Sequence, residues 1–195
     1  MNFMTDLLRL SLTDPNAAGT QILSLRPKTG TALSALVVTI IITVVITYAL
    51  NGFEPISLLP DQFGFPKILP ITMVLVNCAM TLASVGSIWL VAHAFGGSGS
   101  LIDGVLIFAW FQVLQLLILI MQIPLSVLPI NFVLLANLIT VVVLFWILFG
   151  LINSWMNLDS MWKAAGCFIM GAFTLGIVGS FIFGSFGFSP EQVAL

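Results

Sequence analysis

Long uncharged, apolar stretches alternate with short polar segments along this chain of 195 residues. The apolar stretches cover residues 29–53, 68–92, 104–158 and 164–190. A helix that rises about 1.5 Å per residue needs about 20 apolar residues to cross the roughly 30 Å of hydrocarbon in a bilayer. Three stretches therefore fit one crossing each, and the third along the chain fits two. The pattern predicts five transmembrane helices, at about 31–50, 71–95, 101–123, 130–151 and 164–186.

The predicted fold class is an all-α integral membrane protein with a bundle of five transmembrane helices. Residues 29–188 form the predicted transmembrane domain, and residues 189–195 form a short C-terminal tail. Residues 1–28 form an N-terminal arm with two short amphipathic helices, the second capped by Asp14 and started by Pro15. We expect this arm to lie on the cytoplasmic membrane surface. The alternative is a disordered tail.

Composition agrees with a membrane protein. Hydrophobic residues make up 60% of the chain and charged residues only 6%, against about a quarter charged in soluble domains. Such a chain has too little polar surface to coat a soluble globule, so its exterior is expected to contact the lipid bilayer. The five basic residues are scattered and predict no nucleic-acid partner. They are Arg9, Arg26, Lys28, Lys67 and Lys163.

The distribution of these basic residues predicts an orientation. Four of them fall on the arm side of the predicted bundle, and only Lys67 falls on the other side. Because basic residues accumulate in cytoplasmic segments, we expect a cytoplasmic N-terminus and, after five crossings, an external C-terminus. The expected location is the cell inner (plasma) membrane.

Small or hydroxylated residues recur every four positions in the first, second and fifth predicted spans. Such spacing places them on one helix face and lets helix backbones approach closely in lipid. We therefore expect these three helices to make the tightest contacts of the bundle. The positions are Thr39 and Thr43, then Ala79 and Ala83, then Ala172, Gly176, Ser180 and Gly184.

Polar amides mark the third and fourth spans. Gln112, Gln115 and Gln122 share a face of the third, and Asn137 lies on the fourth. An amide in hydrocarbon needs a partner, so these side chains should bond to one another or to a second protein. The alternative is a path for a polar solute. No span has an ionisable residue near its middle, which disfavours ion-coupled transport but leaves a neutral solute open.

One loop invites a catalytic hypothesis. The only histidine, His93, precedes the turn Gly96-Gly97-Ser98-Gly99, and Asp103 follows it. Serine, histidine and aspartate suggest a triad, and G-x-S-G resembles the serine motif of rhomboid proteases. Their catalytic histidine follows the serine on a later helix, however, and here none does. We favour a flexible glycine-serine turn, with Asp103 near a helix N-terminus where its charge suits the dipole.

Cysteine and cofactor signals point to no site. Cys78 and Cys167 both fall inside apolar spans and are interpreted as small apolar core residues. No metal-ligand cluster, phosphate loop or haem motif is present in the sequence. We therefore expect no catalytic, cofactor-binding or metal-binding residues.

Several short segments, taken with the five spans and the short arm, resemble one protein family. They are Thr13-Asp14-Pro15-Asn16-Ala17-Ala18, His93-Ala94-Phe95-Gly96-Gly97-Ser98-Gly99-Ser100, Phe108-Ala109-Trp110-Phe111-Gln112, Gln115 and Pro129. This pattern, which runs from about Thr13 to Phe186, resembles the Yip family of Ypt-interacting proteins, and most closely its small bacterial branch.

In eukaryotes the resemblance implies binding of Rab-type GTPases in vesicle traffic, without enzyme activity. That binding depends on a long cytosolic N-terminal region, which is short here, so it does not carry over. For bacterial members the resemblance implies a fold and a membrane location but no reaction. We expect a non-enzymatic membrane protein that acts by association, as an accessory subunit, scaffold or membrane organiser. Its partner would be another integral membrane protein or a second copy. The alternative is a small transporter or channel for an uncharged solute.

Overall fold

The computed structural model describes residues 3–56, 67–125, 127 and 129–185, with side chains through residue 180. The helices are α1 (Phe3–Thr13), α2 (Pro15–Ser24), α3 (Thr29–Leu50), α4 (Pro70–Ala94), α5 (Leu101–Leu125), α6 (Ile130–Met156) and α7 (Met161–Ser185). Five of these, α3 to α7, are long and apolar enough to cross a membrane. The expected five-helix organisation is therefore confirmed, and it suits a multi-pass membrane protein. The predicted tail at 189–195 and the predicted end of the last span lie outside the described residues.

Helix boundaries follow local chemistry. Pro70 begins α4, where its missing N–H costs nothing, and Pro129 precedes α6. The helix α6 ends at Met156 and so extends five residues beyond the predicted end of its span at residue 151, and this added turn buries Ile152, Trp155 and Met156. Asn157 stops it with a left-handed backbone conformation, φ 50° and ψ 46°. In the described part of the connection between α3 and α4, an antiparallel bridge joins Ile56 to Ile68.

The N-terminal arm folds as two helices, as predicted. Asp14 caps α2, its side chain accepting a hydrogen bond from the Ala17 N–H at 3.0 Å. The alternative of a disordered tail is wrong, because the arm packs against the bundle. Its α2 helix lies along α6, where Gly19 approaches Ser154 so closely that a Cβ would overlap that side chain. The arm is therefore part of the helical core at this end of the molecule, which we call the arm end.

A buried hydrogen bond fixes α1 as well. The indole N–H of Trp110, on α5, donates to the Ser11 hydroxyl at 2.9 Å, and Ser11 in turn donates to the Leu7 carbonyl at 2.9 Å. Ser11 is fully buried and Trp110 is only 8% exposed. Since buried polar groups are costly without partners, this chain of bonds favours one position of α1.

The spans pair differently from the expectation. We expected α3, α4 and α7 to make the tightest contacts, and α4 does pack extensively on α7. However, α3 makes its most extensive contact with α5. The buried face of α3 carries Leu36, Ile40 and Val44. Ala32 and Thr39 are buried beside them, so large apolar residues dominate this side of the helix and small ones contribute two positions.

Candidate functional site

The turn between α4 and α5 is held tightly against the end of α6. Gly96 has φ 86°, a left-handed conformation that suits glycine. A Cβ at Gly97 would lie 2.9 Å from the Ala92 carbonyl oxygen, and one at Gly99 would overlap Trp155. These three glycines are therefore required by the backbone path and by close approach.

Two tryptophans donate hydrogen bonds to the backbone of this turn. The indole N–H of Trp155 bonds to the Ser100 carbonyl at 2.7 Å, and that of Trp89 bonds to the Gly99 carbonyl at 3.0 Å. Trp89, Trp155 and Trp162 all lie near the ends of spans on the arm side, where an interfacial aromatic belt is expected. Only Trp162, at 86% exposed, is free to serve that role, since Trp155 is buried. The sequence pattern did not indicate that Trp89 and Trp155 donate hydrogen bonds to the turn.

Ser98 adds two hydrogen bonds between the turn and the end of α6. Its N–H donates to the Met156 carbonyl at 3.0 Å, and its hydroxyl accepts from the Asn157 side-chain amide at 3.2 Å. The interpretation of a flexible turn is therefore wrong. The segment from Gly96 to Ser100 is a structural link between α4, α5 and the last residues of α6.

The hydrogen bonds of the suspected triad residues lead elsewhere. His93 Nδ1 lies 3.0 Å from the Trp89 carbonyl oxygen, and the two rings are 4.4 Å apart. Asp103 accepts a hydrogen bond from the Ser100 hydroxyl at 2.7 Å, while the Asp103 N–H donates back to that oxygen at 3.2 Å. The Ser100 N–H also lies 3.4 Å from the Asp103 carboxylate, and with the Asp103 N–H bond it forms a capping box that begins α5. The Asp103 carboxylate therefore lies at the N-terminus of α5, as the sequence suggested.

The small residues expected to pack on α4 and α7 are mostly uncovered within this chain. Ala79 and Ala83 are exposed, while a different face of α4 is buried. Of the predicted positions on α7, Ala172, Gly176 and Ser180 are exposed. The contact with α4 is made one position earlier, where a Cβ on Gly171 would lie 3.0 Å from the Ile88 side chain. Gly184 lies outside the residues whose surroundings the structure describes.

On α3 the hydroxyls bond within their own helix. Thr39 donates to the Ala35 carbonyl at 2.8 Å, and Thr43 donates to the Thr39 carbonyl at 2.9 Å. Thr39 is buried, whereas Thr43 faces a cavity. Their hydroxyls are thus satisfied locally, and the described hydrogen bonds do not use them to join helices.

A cavity of about 110 Å³ lies between α3, α4 and α5. Among the predicted amides, Gln112 lines it, with Thr43 and Asn77 contributing further polar groups. Gln115 is half-buried and does not line this space. The full lining comprises Ile40, Thr43, Val44, Thr47, Tyr48, Met73, Asn77 and Gln112.

The other two amides meet each other. The side-chain N–H of Gln122 on α5 donates to the Asn137 side-chain oxygen on α6 at 3.2 Å. The structure therefore brings together one pair across the two helices that the sequence named. It does not bring all four amides into one continuous path.

The two cysteines are free thiols on different helices, with Cys167 buried and Cys78 half-buried against the core. Within the part of the chain that the structure describes, no group of three metal-ligating side chains comes together. No family model, curated protein or solved structure matches this chain.

Proposed function

We propose that this protein is a non-enzymatic membrane protein that acts by association with another integral membrane protein or with a second copy. The observation that carries the proposal is the uncovered face formed by Ala172, Gly176 and Ser180 on α7. The side of this helix that carries Gly171 is already occupied by α4. The exposed face is therefore available to a helix from outside the chain.

The shape of this face suits close helix contact. The three residues are four positions apart, and no atom lies within 4 Å of a Cβ built on Gly176. In lipid, helices associate through packing and hydrogen bonds, and small residues allow their backbones to approach. The Ser180 hydroxyl already donates to the Gly176 carbonyl at 2.8 Å, so it can enter such a contact without needing a new acceptor.

A second exposed region supports the same proposal. The first half of α6, residues 130–146, leaves most of its large apolar side chains uncovered. Asn137 is exposed within it, seven residues into the helix and thus about 10 Å along it. Its side-chain oxygen accepts from Gln122, but its amide N–H groups donate to no partner among the described residues. Unbonded N–H groups at that depth are costly against hydrocarbon, so a protein surface is a more favourable neighbour.

The proposed setting is the inner membrane, with the N-terminus in the cytoplasm and the C-terminus outside. The excess of basic residues at the arm end supports this orientation. The resemblance to the small bacterial Yip proteins supports a membrane role without a reaction. Accessory subunit, scaffold and membrane organiser are the forms that such a role takes.

The test is purification of the tagged chain from its native membrane in mild detergent, followed by native mass determination and identification of co-purifying proteins. We expect a stoichiometric partner or a homo-oligomer. The Gly176→Leu variant, which fills the open face, should lose it. Gly166→Leu is the matched control, because Gly166 also has open space but lies about 80° away around the same helix. A monomer without partners, or unchanged assembly of Gly176→Leu, would contradict the proposal.

A second candidate, passage of a small uncharged solute, is favoured by the cavity beside Gln112. A path through Gln112, Gln115, Gln122 and Asn137 would have to extend that cavity towards the far ends of α5 and α6. Replacing Gln112 or Gln115 by Leu tests it in reconstituted vesicles. Loss of solute flux with assembly intact would favour transport, whereas loss of assembly alone would favour association.

A further inference from the structure

A second, more polar pocket opens at the arm end, between α2 and the turn that joins α6 to α7. Its volume is about 310 Å³, at the lower end of the roughly 300–1,000 Å³ typical of small-molecule sites. Six of its seven lining residues carry an amide, a hydroxyl or a carboxylate. The lining is Asn16, Thr20, Asn153, Ser154, Asn157, Leu158 and Asp159.

Many hydrogen-bond donors around this pocket are already engaged. The Thr20 hydroxyl donates to the Asn16 carbonyl at 3.0 Å, and the Ser154 hydroxyl donates to the Leu151 carbonyl at 2.8 Å. The Asn153 amide N–H bonds to the Asn16 side-chain oxygen at 3.2 Å. The Asn157 amide N–H is directed to Ser98, as described above.

Two acceptors at the pocket are less fully paired than its donors. The side-chain oxygen of Asn153 is buried and has no hydrogen-bond donor among the described residues. The Asp159 carboxylate is 94% exposed, and its cationic neighbour is Lys163 at 3.7 Å. Most of the donors are thus engaged, with the Asn16 side-chain amide as the exception, and a pocket that adds an unpaired acceptor and a negative charge fits a ligand that is cationic and rich in N–H groups. A primary ammonium, with three donors and no acceptor, has that chemistry.

We propose that this pocket binds the ammonium group of an aminophospholipid of the phosphatidylethanolamine type. In this arrangement the ammonium binds Asp159 at the rim of the pocket, on the side lined by Asn153, and the lipid phosphate lies towards Lys163. The proposal is independent of the association through α7. It assigns a ligand to residues that the glycine-serine turn and the arm bring together.

The position of the pocket favours a lipid over a soluble amine. It lies where the apolar α6 ends and the apolar α7 begins, which is the level of the headgroups for a spanning helix. Trp162, in the first turn of α7, is almost fully exposed, and tryptophan is enriched at that level. Lys163, beside it, supplies a positive charge for a phosphate.

The experiment compares two lipids with identical acyl chains, dioleoyl-phosphatidylethanolamine and dioleoyl-phosphatidylcholine, added to the purified full-length chain and counted by native mass spectrometry. Both headgroups carry the same charges, but the choline nitrogen has no N–H. We expect about tenfold preferential retention of one ethanolamine lipid, the difference that a charge-assisted hydrogen bond supplies. Equal retention of the two lipids would overturn the proposal.

Variants assign the preference to the pocket. Asp159→Asn, at an exposed position that should not disturb folding, is expected to abolish most of the preference. Glu54→Gln is the control, because it removes one exposed carboxylate at the opposite end of the bundle. A preference that survives Asp159→Asn would overturn the assignment. Competition by soluble phosphoethanolamine without selective retention of the lipid would overturn the lipid source.

Discussion

The indole nitrogen of Trp155 lies 2.7 Å from the carbonyl oxygen of Ser100, joining the end of α6 to the turn between α4 and α5. The residues are 55 positions apart in the chain. A buried donor without this acceptor would be costly, so the bond favours one register of the turn on α6. Two glycines, Gly99 and Gly104, approach Trp155 so closely that small substitutions there should disturb this bond.

Gly104→Ala should destabilise the protein. A Cβ at Gly104, in the first turn of α5, would overlap the Trp155 ring, and overpacking of this kind costs about 1–3 kcal/mol. Gly86→Ala on α4 is the control, because no atom lies within 4 Å of its built Cβ. Thermal unfolding in detergent should show a lower midpoint for Gly104→Ala only. Equal midpoints for both variants would mean that the ring can move aside.

Ser11→Ala should loosen the arm. Removing the hydroxyl leaves the buried Trp110 N–H without its acceptor, at a cost of about 1–3 kcal/mol. We expect faster amide hydrogen exchange throughout α1. Ser24→Ala serves as control, since its exposed hydroxyl bonds only within α2. Protection of α1 that is the same in both variants would show that apolar packing alone holds the arm.

Asn157 should tolerate Gly better than Ala. Its φ of 50° lies in the left-handed region, which costs a residue with a Cβ about 1–2 kcal/mol more than glycine. Both substitutions lose the amide bond to Ser98 equally, so the comparison isolates the backbone term. The free energy of unfolding, measured by denaturant titration in detergent, should be higher for Asn157→Gly. The opposite order would contradict the proposed helix-ending role.

Gln122 and Asn137 should be energetically coupled. Replacing each by Leu, singly and together, removes the 3.2 Å hydrogen bond between α5 and α6. Interhelical bonds in membranes contribute about 0.6 kcal/mol on average, and the double-mutant cycle in unfolding free energy should give a value of that order. The Gln115→Leu and Asn137→Leu pair is the control cycle. Coupling there as large as for Gln122 would indicate an indirect effect.

The helices could be located from the sequence because long uncharged stretches have few other stable forms in a membrane. The cap at Asp14 was also readable, since it depends only on neighbouring residues. The packing face of α7 was not. In a helix that is apolar on every side, no polar stripe marks the outside, so the sequence favoured the face of Gly176, whereas the contact with α4 lies at Gly171.

The turn shows a different limit of sequence reasoning. The glycine-rich turn stood out in the sequence, but the reason for its glycines did not. That reason is the contact of the turn with Trp89 and Trp155, and Trp155 lies 55 positions from Ser100. Ser11 and Trp110 were likewise individually unremarkable. Such pairs become visible only when the helices are placed side by side, because hydrogen bonds between distant segments leave no local pattern.

The packing of α2 on α6 sets an order of events during synthesis. Asn16 and its partner Asn153 are separated by 137 residues, and a ribosome adds about 5–20 residues per second. The arm therefore emerges on the order of ten seconds before the surface that covers Ala18 and Ile22 exists. During that interval, the membrane interface is the nearest apolar surface that the apolar side of the arm can contact. Docking of the first-made helices is thus among the last steps of assembly.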